Sequence, residues 1–155
     1  MRQIVVFDID GCCVDPSERL PHLVAGDYET YLKMWETDKP IPQGVAIYSA
    51  FLMSPAYTCL FITSRSEEDR PNTTTQLTRI FGPQLMNRAR LLMRQNNYET
   101  GRTLNVSEYD IKPFLLQEAG YKLSEVFLAF DDRDIVVKGW RDRGVKCYQT
   151  DYGDF

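Results

Sequence analysis

The chain has a single histidine, His22, in 155 residues. Ser-His-Asp machinery would depend on that one residue in a polar stretch, so this class of catalysis is set aside. There are four cysteines, Cys12, Cys13, Cys59 and Cys147, and no pair has the C-x-x-C spacing of a zinc knuckle or redox site. Reduced thiols in a cytoplasmic protein are therefore expected. No apolar run approaches the roughly 18 residues of a membrane span. The opening run, Ile4–Phe7, stops after four residues at Asp8, which predicts neither a signal peptide nor a membrane partner. An excess of positive charge is missing too. A formal net charge of −4 argues against stable wrapping of duplex nucleic acid through charge alone. Nor is there a G-x-x-x-x-G-K-[ST] phosphate loop; the nearest spacing, Gly139 to Gly144, continues Val145-Lys146 and closes a helix.

What is present suits one globular α/β domain over residues 1–155, long enough to bury a core without staples. Three apolar runs, Ile4–Phe7, Cys59–Ile62 and Val126–Phe130, read as central strands of a parallel sheet, and Ala89–Met93 and Val145–Tyr148 as weaker ones. Helical segments are expected over Val45–Met53, Pro71–Phe81, Pro113–Ala119 and Ile135–Arg143, the last three stopping at Gly82, Gly120 and Gly144. Strands alternating with helices predict a doubly wound, mainly parallel, Rossmann-like sheet whose ligand edge lies at the strand C-termini. Residues 13–43 read as a small cap-like helical insertion after the first strand, with Asp27–Trp35 as one short helix.

The first strand ends in Asp8-Ile9-Asp10-Gly11. Residues i and i+2 of an extended chain face the same side, so the carboxylates of Asp8 and Asp10 can converge. Two like charges so close need a cation between them, or one must keep a proton. A hard cation such as Mg²⁺ takes such carboxylates with waters and a substrate phosphate. The pattern repeats where Val126–Phe130 runs into Asp131-Asp132. A lone strand-ending Asp is commonly a helix cap; two central strands that each end in paired acids point to a site.

A third run ends in Thr63-Ser64-Arg65, whose hydroxyls, backbone N–H groups and guanidinium are the groups that hold a phosphate. Lys112, at the start of a helical segment, supplies a cation against the charge that develops in phosphoryl transfer.

In this order the four pieces resemble the haloacid dehalogenase superfamily of phosphotransferases. Asp8-Ile9-Asp10-Gly11 is similar to its first motif, with Cys12 where Thr is usual; Thr63-Ser64 to the second, Lys112 to the third and Asp131-Asp132 to the fourth. Within that superfamily the chain resembles the phosphatase domain of bacteriophage polynucleotide kinase-phosphatases. Ala129-Phe130-Asp131-Asp132-Arg133, Val136-Val137, Trp140-Arg141, Gly144-Val145, Cys147 and Gly153-Asp154-Phe155 carry that likeness. That family's second motif reads Ser-Gly-Arg where this chain has Thr63-Ser64-Arg65. It has an arginine eleven residues beyond the first aspartate, the place of Arg19, and an aspartate four before the lysine, where this chain has Glu108 with Asp110 close by.

The resemblance implies an Mg²⁺-dependent phosphomonoesterase. Asp8 would be the nucleophile and Asp10 the general acid-base, with Lys112 completing the catalytic set. Thr63, Ser64, Arg65 and Arg19 would hold phosphate or orient the leaving group. Asp8, Asp10 through its main-chain carbonyl, and Asp131 or Asp132 would hold the metal. The implied partner is a phosphorylated nucleotide or nucleic-acid end, and the reaction is removal of a 3′-phosphate. A 5′-nucleotidase, a phosphotransferase and a non-catalytic binding domain are the alternatives. The kinase half of the relatives has no counterpart motif, so a stand-alone phosphatase domain is expected, its oligomeric state left open.

Tyr31 and Trp35 are candidates for base stacking, against a default of packing. Trp140 reads as core. Arg70, Arg79, Arg88, Arg90, Arg94 and Arg102 either build a groove for a nucleic-acid backbone or are solvated surface. Cys12 and Cys13, beside acids, are poor thiolates.

Overall fold

The computed structural model describes residues 3–95 and 105–155. In chain order it forms β1 (Ile4–Phe7), β2 (Val14–Asp15), α1 (Leu20–Val24), α2 (Tyr28–Lys33), β3 (Lys39–Pro40), α3 (Pro42–Met53), β4 (Thr58–Ser66) and α4 (Arg70–Phe81). Then follow α5 (Pro83–Met86), β5 (Ala89–Arg94), α6 (Ile111–Glu118), β6 (Val126–Asp131), α7 (Asp134–Asp142) and β7 (Cys147–Gln149). A five-stranded sheet runs β5-β4-β1-β6-β7 with every pairing parallel. This is the doubly wound architecture expected. Strand β1 lies in the middle, with β4 on one side and β6 on the other, and the crevice at such a switch point receives ligands.

Alternation along the strands builds a core on each face. Ile4, Val6, Leu60, Ile62 and Ala129 pack against α6 and α7 through Ile111, Leu116, Val137 and Trp140. Val5, Phe7, Phe61 and Phe130 pack on the other face against Tyr48, Leu52, Leu77 and Phe81 of α3 and α4. Phe7 and Tyr48 stack with ring centroids 4.1 Å apart. Trp140 is wholly buried, as read from the sequence.

Three elements differ from expectation. β4 continues four residues past Ile62 to Ser66, its ladder with β5 resuming after a register shift at Ser66–Arg94. Helix α3 begins three residues early, at Pro42, a residue suited to a first helical turn. The segment after β1 is more than one helix: β2 and β3 pair antiparallel through Val14–Pro40 and Asp15–Lys39, closing a two-stranded stem around α1, α2 and a 3-10 turn at Met34–Thr37. Two-residue strands are too short to show a period. Among the described residues no helix is long and apolar enough to cross a membrane.

Candidate active site

Every sheet strand that matters to the site stops at the same edge. Asp8 follows β1 and its N–H is held by the Phe130 carbonyl of β6 at 3.1 Å. The Tyr48 hydroxyl, reaching up from α3, donates to the Asp8 carbonyl at 2.9 Å. With its backbone gripped from both sides, the Asp8 carboxylate has one direction left, into the crevice.

There Lys112, in the first turn of α6, donates to Asp8 Oδ1 at 2.5 Å and to Asp131 Oδ2. All three side chains are buried. The other Asp131 oxygen accepts the Arg133 N–H at 3.2 Å. Asp132 Oδ1 is buried and has no hydrogen-bond partner among the described residues. Oxygen atoms of Asp8 and Asp132, with the Cys12 sulfur, lie within 4.8 Å of one another. Three carboxylates therefore face one ammonium. Burial and the neighbouring Asp131 push Asp8 well above the usual carboxylate range, and the same two causes bring Asp132 to about 6. A buried anionic pair with an orphan oxygen is a donor set that fits a hard divalent cation. Gly11 makes the closeness possible: φ is +79°, and a Cβ there would lie 2.0 Å from Asp132 Oδ2.

The geometry thus separates the two acids that the sequence leaves equivalent. Asp131 spends both oxygens on Lys112 and the backbone; Asp132 is the carboxylate with a free one.

Asp10 is engaged differently. Arg65 forks onto it, Nε to Oδ2 at 2.9 Å and Nη2 to Oδ1 at 2.5 Å. Burial alone would raise the Asp10 pKa, but the guanidinium outweighs it and holds the group below its ordinary value. Both of its carboxylate oxygens are thus engaged by Arg65. Arg65 is itself fixed by Thr73 at 3.1 Å and Gln76 at 2.9 Å, both on α4, and by Asp38 at 3.4 Å.

Arg19, expected to hold phosphate or orient the leaving group, is fully buried: it gives Nε to Asp38 at 2.8 Å, lies 3.6 Å from Asp69, and stacks 4.3 Å over the Tyr31 ring. It borders the site through Asp38, which meets Arg65, and through Tyr31, which lines the cavity. Thr63 accepts the Arg65 N–H at 3.1 Å, so its hydroxyl shapes the turn. Ser64 lines the crevice with its hydroxyl unengaged among the described residues. Glu108 joins Arg94 at 2.5 Å to Arg133 at 3.0 Å, whereas Asp110 turns away to Arg143 and Ser107.

The crevice is a cavity of about 550 Å³. Asp8, Asp10, Ser64, Arg65, Lys112 and Asp132 form its charged end, and Tyr31 lines it from the insertion. Trp35 is covered by the Arg79 guanidinium at 4.9 Å. Arg70, Arg79 and Arg94 are paired with Glu67, Glu36 and Glu108, Arg90 donates to Tyr121 and Arg88 to the Met53 carbonyl; Arg102 lies outside the described residues. Among the described residues each of these arginines is thus paired or hydrogen-bonded.

The model of the polynucleotide kinase PNKP phosphatase domain matches residues 2–155. The chain belongs to that family. This PNKP-type phosphatase domain is similar over its whole length to a chain in a Pnkp1/Rnl/Hen1 complex, with 22% identity and a TM-score of 0.73. A chain of the Pnkp1/Rnl/Hen1 RNA repair complex matches at 23% identity and a TM-score of 0.71. The PNKP-type domain spans 48% and 44% of those two chains, less than half of each. CbbY from Rhodobacter sphaeroides, solved in complex with phosphate, shares the fold at 14% identity and a TM-score of 0.63, covering 100% of this chain and 88% of that one. No curated protein sequence matches. The sheet and its flanking helices are those of haloacid dehalogenase-type hydrolases.

Sequence reasoning missed Tyr48, Asp38, Asp69, Thr73 and Gln76. Each acts through a partner distant in the chain, and no local spacing announces it.

Proposed function

We propose that this domain removes 3′-phosphate from polynucleotide ends or nucleotides, through an aspartyl-phosphate on Asp8 and with Mg²⁺ as cofactor. The observation that carries the reading is the buried Asp8–Lys112–Asp131 triplet, with Asp132 Oδ1 unpartnered among the described residues and Asp10 in the same cavity. Family membership and the RNA repair complex of two structural relatives support the choice of substrate.

In the first step a carboxylate oxygen of Asp8 bonds to phosphorus as the bond to the substrate alcohol breaks. Asp10, once protonated, gives its proton to the leaving oxygen. Lys112 and Ser64 hold the transferring oxygens, and Lys112 offsets the charge spreading over them. In the second step Asp10, now ionised, takes a proton from water; the water oxygen bonds to phosphorus and the bond to Asp8 breaks, releasing inorganic phosphate. Asp8, Asp132 and the Asp10 main-chain carbonyl would hold the cation, which supplies neutralisation between two anions that must meet.

The test is phosphate release, with and without Mg²⁺, from a 3′-phosphorylated oligonucleotide and from 3′- and 5′-mononucleotides, alongside Asp8→Asn. Metal-dependent release from 3′-phosphates that Asp8→Asn reduces by at least about a thousandfold is expected. Preference for 5′-mononucleotides would move the domain to nucleotide metabolism. Undiminished turnover in Asp8→Asn would remove the nucleophile.

A further inference from the structure

Part of the cavity lining is apolar: Leu20, Leu23, Val24, Val136 and Phe155. Helix α1 contributes no buried residue to the core, yet three of its five positions are large and apolar. Leu20, Leu23 and Val24 stand at i, i+3 and i+4, on one face of the helix. They are 38%, 39% and 87% exposed, and all three line the cavity that holds Asp8 and Lys112. Phe155 lines it too, 68% exposed, from a segment more than a hundred residues away in the chain.

Phe155 is not a loose end of surface. Arg133 donates Nε and Nη2 to its main-chain oxygen, each at 3.1 Å, and places its guanidinium 5.5 Å from the ring. Glu108 fixes the same guanidinium from the other side at 3.0 Å. Two residues earlier, the Gly153 carbonyl accepts the Asp134 N–H at 2.6 Å. A Cβ on Gly153 would lie 2.0 Å from the Asp132 carbonyl, so the segment rests directly on the turn that carries the metal-site acid. An exposed phenyl ring is thus held in register with the reacting groups.

We propose that this apolar part is the leaving-group subsite, and that Phe155 stacks on the base of the terminal nucleoside while Leu20, Leu23 and Val24 cover its sugar and edge. The proposal rests on the phosphomonoesterase reading of the charged end. The occupant must carry a phosphate monoester at one end and an apolar, flat group at the other. The side chains of Leu20, Leu23 and Val24 offer a sugar or amino-acid alcohol no donor or acceptor, whereas every nucleobase presents a π-face to Phe155. A volume of about 550 Å³ lies within the range of small-molecule sites and has room for one nucleotide.

The experiment compares a 3′-phosphorylated nucleotide with its abasic counterpart, on the full chain and on Phe155→Ala, Phe155→Trp and Leu23→Ser/Val24→Ser. The base-bearing over abasic ratio of kcat/KM is expected to fall about tenfold in Phe155→Ala, chiefly through KM, and to recover in Phe155→Trp. Calorimetry on Asp8→Asn, with and without Phe155→Ala, reads the same tenfold change in Kd without turnover. If wild-type protein releases no phosphate but base-dependent binding persists in Asp8→Asn, the hydrolytic reading fails and the subsite stands. Equal affinity for base-bearing and abasic ligands, or a ratio unmoved by Phe155→Ala, would overturn the subsite. Because Phe155 is exposed, circular dichroism is expected to show its variants folded.

Discussion

Arg65 holds both carboxylate oxygens of Asp10 in a two-pronged contact, at 2.9 and 2.5 Å. The resting pair favours the ionised acid. In the proposed reaction that is the form that would deprotonate water, and protonation for the first step would follow entry of the substrate phosphate, whose charge competes for the same guanidinium.

Asp10→Asn is therefore expected to separate substrates by leaving group. An alkyl 3′-phosphate needs the proton and should lose about 100- to 10,000-fold in kcat/KM. An aryl phosphate, whose leaving oxygen is already acidic, should still phosphorylate Asp8 and show a burst followed by slow turnover. Rapid-quench kinetics on both substrates checks this; an equal loss on the two would remove the acid role.

The same pair sets a pH dependence of stability. Asp10 has a folded pKa below its unfolded value of about 3.9, so its stabilisation is present above that value and is lost as pH falls through the folded pKa. Removing one member of a well-formed ion pair is costly, and Asp10 is 30% exposed, which moderates the loss to about 2 kcal/mol. Thermal unfolding of wild type and Asp10→Asn should show that gap at pH 7 and a narrowing gap below about pH 4. A gap that stays constant into acid would mean that the pair does not act through ionisation.

Asp131 and Asp132 should fail in different ways. Asp132→Asn is expected to raise the Mg²⁺ concentration for half-activity at least about tenfold while leaving the melting temperature little changed. Asp131→Asn removes a partner from buried Lys112 and should cost about 3 kcal/mol in stability. Metal titration by calorimetry with parallel unfolding curves decides between them, and the reverse pattern would exchange their roles.

The Asp38 side chain is buried and meets Arg19, Arg65 and Gln76 at once. Asp38→Ala leaves two buried guanidinium groups under-compensated, with an expected loss of about 3–5 kcal/mol. Urea unfolding measures it. A loss below about 1 kcal/mol would show that Asp69 and Asp10 alone neutralise the two arginines.

The acids gathered at the sheet edge were legible because each interrupts an apolar run abruptly: Phe7 into Asp8, Phe130 into Asp131. Lys112 and Thr63-Ser64 followed from their places beside helix and strand ends. Arg19 and Asp38 were opaque for the opposite reason. In sequence Asp38 sits between Thr37 and Lys39, a stretch that reads as solvated loop; only the antiparallel pairing of β2 with β3 brings it beside Arg19, nineteen positions earlier. The extension of β4 through Ser66 was hidden by its polar residues, which are buried because they face α4 and the site instead of the core.

The insertion is fastened to the rest of the domain along α4: Asp38 to Arg65 and Gln76, Arg19 to Asp69, the Leu32 carbonyl to Asn72, the Trp35 carbonyl to Gln76. For the insertion to swing outward these contacts would have to break together, two buried arginines losing carboxylate partners at once. On the proposed function, a wall so fastened would screen substrates by outline at entry.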